Sequence, residues 1–277
     1  MKYSIKNPMA PLWIKCPYIS NGSIGWRMGS GEGDKFEFIG WFDTLSEDDK
    51  NKYKELFPSP KSWGDFYGEG EERDEESVIF FPDYSIEDLK TDYLKGKNME
   101  YEFFWGHQPS KSGKIINTCF SQWWKCNFCD DEEEYNCAEQ YMMARKALLF
   151  DDYEIFGQIM ECKEPKKTKA LGRKIRNFNE DVWNDYKYNI VYEGNLLKFA
   201  QNKQLREYLL STKDKVIVEA SPYDGIWGIK MSRDDLNAKN PLKWRGENLL
   251  GFALMGVRKE LQRIYKNYSI IGNLENE

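Results

Sequence analysis

Histidine is almost missing from this chain: His107 is the only one in 277 residues. A Ser-His-Asp or Cys-His nucleophile system would have to use that single residue, and a histidine-rich metal centre is excluded. Long apolar runs are missing as well. No stretch approaches the about 20 apolar residues that cross a bilayer as a helix, so no membrane partner is expected. No apolar segment follows the charges of Met1-Lys2-Tyr3-Ser4-Ile5-Lys6, which argues against a secretory leader and for a cytoplasmic protein. A basic surplus is absent too. Residues 1–98 hold 13 Lys and Arg against 19 Asp and Glu, while residues 99–277 hold 27 of each. The net charge of −6 therefore sits in the N-terminal third. Neither part has the cationic excess with which proteins grip a nucleic-acid backbone, although engagement through one modified base stays open.

Six cysteines are present, and reduced thiols are the expectation for a cytosolic protein. Cys126-x-x-Cys129 resembles half of a structural zinc site. No second close pair accompanies it, so no metal is expected. With histidine scarce, catalysis falls to carboxylates, Lys, Tyr or Cys.

The length suffices for one large domain or two ordinary ones. Gly29-Ser30-Gly31-Glu32-Gly33 is read as a mobile turn, since a phosphate loop needs a strand before it and a helix after it. Ser46–Phe57 reads as a short helix capped by Ser46 and closed by Pro58. Glu69–Glu76 is an acidic loop, and Val78–Phe81 a short buried strand. A domain boundary is expected near Lys97-Asn98. Beyond it, Tyr101–Gly106 and Cys119–Trp124 read as strands, and Phe128 and Tyr135 bracket a hairpin or exposed loop. A helix is expected from Asn136, with Ala138, Tyr141, Met142, Ala144 and Leu148 on its apolar stripe. Further helices follow at Tyr153–Cys162, from Pro165 towards Asn177, from Asn179 to about Phe199, and at Gln204–Leu210. Lys215–Ala220 is a β-branched strand, Ser221–Gly225 a turn, and Glu247–Tyr265 a last amphipathic helix. The pattern is that of an α+β domain dominated by helices.

Within the first of these helices, Glu139 and Lys146 stand seven residues apart, about two turns, and leave the same face. They are too far apart for a tight ion pair and well placed to point at one ligand. Asn136-x-x-Glu139 also matches a capping box, and spacing alone favours that plainer role. Asp224 sits in a Pro-x-Asp-Gly turn after a strand, where turn chemistry and binding compete as explanations. Trp183, Trp227 and the aromatic runs at 104–105 and 123 read first as packing residues. Arg173 reads first as solvated.

Taken together, these segments resemble the NADAR (YbiA-like) family over Tyr101 to about Gln262. The resemblance rests on Phe104-Trp105-Gly106, Phe120-Ser121-Gln122-Trp123, Ala138-Glu139-Gln140-Tyr141-Met142-Met143-Ala144-Arg145-Lys146-Ala147, Leu171-Gly172-Arg173, Trp183, Lys198-Phe199-Ala200-Gln201-Asn202, Val218 to Ile229, and Asn248-Leu249-Leu250-Gly251. Three positions depart from the family pattern: Gln140, Gly225 and Lys230. The resemblance implies an N-glycosidase domain over 99–265, preceded by an accessory region at 1–98 and followed by a tail at 266–277. It implies hydrolysis of a ribosyl N-glycosidic bond without a cofactor. The implied substrate is ADP-ribose linked to guanine, free or within DNA or RNA. The alternatives are phosphorylated riboflavin-pathway intermediates, or a domain that binds ADP-ribose without turnover. Carried over by position, Glu139, Lys146 and Asp224 are expected to be catalytic. Trp183, Trp227, Ser121, Gln122, Phe104, Trp105, Gly106, Arg173 and Asn248 are expected to bind substrate.

Overall fold

The computed structural model describes residues 3–64, 66–68, 82–131 and 133–272. The acidic loop at 69–76 and the strand expected at 78–81 lie outside the described residues. The chain forms two compact units: one of residues 1–78, 129–133 and 259–277, the other of residues 79–128 and 134–258.

In the first unit, α1 (Leu12–Lys15), α2 (Gly25–Met28), α3 (Glu32–Asp43) and α4 (Glu47–Leu56) surround an aromatic core. Ser46 caps α4 as expected, its hydroxyl accepting from Asp49 N–H at 3.2 Å. The glycine segment differs from expectation: α3 starts at Glu32 and takes in Gly33, so only Gly29–Gly31 form a link, between two helices. Trp13, Trp63 and Phe66 meet edge to face at 5.5 Å. Tyr53 is fully buried and donates to Met9 O at 2.9 Å. Each such ring pair contributes about 0.5–1.5 kcal/mol beyond its buried area. Within the span expected as a tail, Asn267 Nδ2 donates to Leu56 O and Gly272 N–H to Pro8 O, both at 2.8 Å.

In the second unit, α5 (Ile86–Leu94) precedes β1 (Tyr101–Phe104), β2 (Phe128–Cys129), β3 (Glu134–Tyr135) and α6 (Ala138–Leu149). Then come α7 (Tyr153–Glu161), α8 (Pro165–Gly172), α9 (Glu180–Gln201), α10 (Lys203–Ser211), β4 (Val216–Glu219) and α11 (Leu249–Ile264), of which residues 249–258 belong to this unit. β1 and β4 pair in parallel, with Tyr101 opposite Val216 and Phe104 opposite Glu219. β2 and β3 pair as a hairpin, one of the two forms expected for this stretch, with Cys129 of β2 counted in the first unit. The architecture is helix-rich α+β. The expected boundary at 97–98 does not coincide with the division between units. Leu89 of α5 is fully buried among Val216, Val218, Ile229 and Phe252, so α5 belongs to the second core.

Cys119–Trp124 is not a strand. Asn117–Phe120 is a 3-10 turn, and Ser121 and Trp124 continue it with local backbone bonds. Carbonyls that a neighbouring strand would satisfy are taken by Lys198 of α9, which is fully buried. Its Nζ donates to Cys119 O at 2.7 Å and Ser121 O at 3.0 Å. α8 opens with Pro165 at its first position but stops at Gly172, short of Asn177. Asn179 caps α9, accepting from the N–H groups of Asp181 and Val182.

Candidate active site

The start of α6 decides the role of Glu139. The capping box expected from spacing does not form. Gln140 Oε1 instead accepts the Asn136 N–H at 2.8 Å, while its Nε2 donates to the carbonyls of Ile159, Met160 and Cys162. Gln140 thus fastens α6 to the end of α7, and Glu139 is released from capping. The Glu139 N–H donates to Gln122 O at 2.9 Å. Its side chain is buried, and Oε1 meets no hydrogen-bonding partner among the described residues.

Burial pushes the Glu139 carboxyl up to about 7, and the charge of Asp224 adds to the push. Lys169, the Trp123 indole and Arg173 pull the other way. A carboxylate in the first turn of a helix gains about 0.3–1 kcal/mol from the helix terminus. One pKa unit corresponds to about 1.4 kcal/mol, so desolvation outweighs that gain here. An acid poised near neutrality with a free oxygen is suited to exchange protons or to face a developing cation.

Lys146 lies two turns further along α6 and is half-buried. Its Nζ sits 4.1 Å from the centroid of the Phe178 ring and 5.1 Å from that of Trp183, and donates to Gly172 O at 3.3 Å. Desolvation pulls its pKa down. Trp183 is therefore brought to Lys146.

The third contribution comes from the loop after β4. Asp224 Oδ1 accepts from Ile226 N–H at 3.0 Å and Trp227 N–H at 2.9 Å, which builds the turn. Asp224 also acts electrostatically on Glu139, so the turn and the site share one side chain. Asn248 holds the end of β4: Oδ1 accepts from Glu219 N–H at 2.9 Å and Nδ2 donates to Ile217 O at 3.0 Å.

The residues expected to bind substrate divide accordingly. Asn248 is fully buried with both side-chain ends engaged, and Phe104 is buried against Phe120 at 5.6 Å. Both support the site from beneath and are not open to a ligand. Gln122 is buried too, its Oε1 accepting from Asn195 Nδ2 at 2.9 Å while its carbonyl holds α6. Ser121 Oγ accepts from Trp123 N–H at 3.1 Å. Trp105 is exposed and lies 6.3 Å from the still more exposed Tyr223. Gly106 follows with φ of 81°, a conformation suited to glycine. Arg173 caps the C-terminus of α8 and is exposed.

Four contributors escaped the sequence reading: Trp123, Lys169, Phe178 and Glu219. Lys169 and Arg173 are four apart at the end of α8, a spacing that could have been read as one cationic edge. Glu219 closes the apolar run Val216-Ile217-Val218, and a carboxylate ending a buried strand was also a usable signal. Trp123 and Phe178 carried no local mark. Among the described residues no cluster of three or more His, Cys, Asp or Glu is placed to hold a metal ion.

Known proteins resemble this chain over the region that carries these residues. The NADAR domain profile matches residues 103–262. N-glycosidase R617 of Acanthamoeba polyphaga mimivirus is 49% identical over 169 residues, which is 59% of this chain and 98% of that protein. N-glycosidase Npun_R5314 of Nostoc punctiforme is 31% identical over 147 residues, 53% of this chain and 86% of that protein. The NMR structure of the E. coli protein YbiA superposes with a TM-score of 0.47 at 23% identity, covering 58% of this chain and 84% of YbiA. The profile match and the extent of the mimivirus likeness establish that the chain belongs to the NADAR domain family.

Proposed function

We propose that this chain is an N-glycosidase that hydrolyses the bond between ADP-ribose and a guanine base. The observation that carries the reading is the buried Glu139 carboxyl with one oxygen unpartnered, set on the same helix face as Lys146. Breaking a C–N bond at the anomeric carbon builds positive charge there, and a carboxylate in a dry site stabilises it. The names of the mimivirus and Nostoc relatives support the N-glycosidase class.

The finer part, the substrate, rests on the surroundings. Lys169 and Arg173 bring cationic groups close enough to act on Glu139, and paired cations suit a pyrophosphate. Trp183, Phe178 and Trp227 offer ring faces for nucleobases. A small monophosphate needs less of either.

The test is a side-by-side assay of ADP-ribosylated guanosine, phosphorylated riboflavin-pathway ribosides and free ADP-ribose, with wild type and Glu139→Ala. Release of guanosine by the wild type alone is the expected result. Turnover of the riboflavin intermediates only would replace the substrate. Binding of ADP-ribose with no turnover of either riboside would overturn the enzymatic reading.

A further inference from the structure

Glu219 is the second carboxyl of the site, half-buried as a residue but with its Oε2 fully enclosed. It ends β4, opposite Phe104 of β1. Its backbone is held on several sides: N–H by Asn248 Oδ1 at 2.9 Å, and the carbonyl by Ile229 N–H at 2.9 Å. Gly228 lies so close that a β-carbon there would come within 2.7 Å of Glu219 O. A side chain on such a frame has little freedom to swing away. Yet Glu219 Oε2 is buried and, like Glu139 Oε1, meets no hydrogen-bonding partner among the described residues. A buried polar atom without a partner costs about 1–3 kcal/mol, and such costs concentrate at sites that later receive a ligand.

Two unpartnered carboxyl oxygens therefore sit within one electrostatic cluster. Glu219 feels the charges of Asp224, Lys169 and Glu139, the same Asp224 and Lys169 that act on Glu139. We propose that Glu219 is a further catalytic residue, the acid that protonates the departing nitrogen while Glu139 faces the anomeric carbon. The inference rests on the N-glycosidase reading. In the step, the C–N bond breaks with its electron pair on nitrogen, and nitrogen takes the Glu219 proton. Water adds to the anomeric carbon and gives its proton to the Glu139 carboxylate. Proton exchange with solvent then restores the pair, and nothing is oxidised or reduced. The assignment of roles follows the two environments. Burial, with Asp224 second, raises Glu219 to about 8, well above the usual carboxylate range, so Glu219 keeps a proton to donate near neutral pH. Lys169 opposes the shift in both.

The test measures kcat on ADP-ribosylated guanosine, the dissociation constant for ADP-ribose, and thermal unfolding, for wild type, Glu139→Gln, Glu219→Gln and Glu219→Asp. The expected result is a fall in kcat of about 100-fold or more in Glu219→Gln. ADP-ribose affinity should stay within a factor of about three, folding should be native, and Glu219→Asp should recover part of the rate. A natively folded Glu219→Gln protein with kcat within about threefold of wild type overturns the assignment. So does a loss carried wholly by ADP-ribose affinity. Should Glu219→Gln not fold, the alkaline limb of kcat decides: displacement in Glu219→Asp supports the acid role, and an unmoved limb defeats it. An inactive wild type would instead sink the N-glycosidase reading, whereas an active wild type with inactive Glu139→Gln leaves that reading standing whatever Glu219 does.

Discussion

Lys146 Nζ lies 4.1 Å from the centroid of the Phe178 ring, so the amine of the site is bounded by an aromatic face. Such a face attracts a cation, yet the half-buried position removes water, and desolvation is the effect that moves its pKa, downward. A lysine with a lowered pKa keeps more free amine at neutral pH and can attack the carbon of a ring-opened ribose to form a Schiff base. Water attack at the anomeric carbon leaves Lys146 unmodified, so borohydride added during turnover is expected to trap no ADP-ribose adduct on it, read by peptide mass, and an adduct that Lys146→Ala abolishes would replace water attack by the lysine route. A Lys146→Ala protein that turns over normally and a wild type that traps nothing would together remove the lysine route.

Asp224 combines a structural and an electrostatic role, and two substitutions separate them. Asparagine keeps the oxygen that accepts from Ile226 and Trp227 but removes the charge. Asp224→Asn is expected to unfold within a few degrees of wild type while losing kcat. Asp224→Ala is expected to lose about 1 kcal/mol of stability as well, because two turn hydrogen bonds go. Equal activity in Asp224→Asn and wild type would assign the residue to the turn alone.

Glu139 makes stability fall with rising pH. Its folded-state pKa is raised from 4.5 to about 7, so the folded protein binds the proton more tightly than the unfolded chain. The stability this provides is complete below about 4.5 and disappears as pH rises through about 7. Glu139→Gln is therefore expected to gain on wild type across that interval, by on the order of 1–3 kcal/mol at its upper end. Denaturant melts from pH 5 to pH 8 test this, and a stability difference that stays flat across them would contradict it.

Two glycines should respond differently to alanine. At Gly194 of α9 a β-carbon would come within 2.5 Å of the ring of Tyr141, a fully buried residue of α6. At Gly172 it would meet the sulfur of Met143 at 2.0 Å, at the flexible end of a thioether chain. Gly194→Ala is expected to cost about 1–3 kcal/mol, and Gly172→Ala less. Thermal unfolding of the pair decides, with the reverse order as the contrary outcome.

Much of this protein was legible in local signals. Ser46, Pro165 and Asn179 marked helix starts because caps and first-turn prolines act within a few residues. The run Val216-Ile217-Val218 marked β4, and the facing of Glu139 and Lys146 followed from helical periodicity alone. Other features depended on residues far apart in sequence. Glu139 was free of capping only because Gln140 took that bond and reached α7. The segment at 119–124 was a turn, not a strand, because Lys198 came from α9 to fill its carbonyls. Phe178 reached Lys146, and Glu219 came within reach of the Glu139 charge, through the packing of α6, α8, α9 and β4. Periodicity determines which face a residue takes. Only the packed core decides which faces meet, how much water is left between them, and hence which carboxyl keeps its proton.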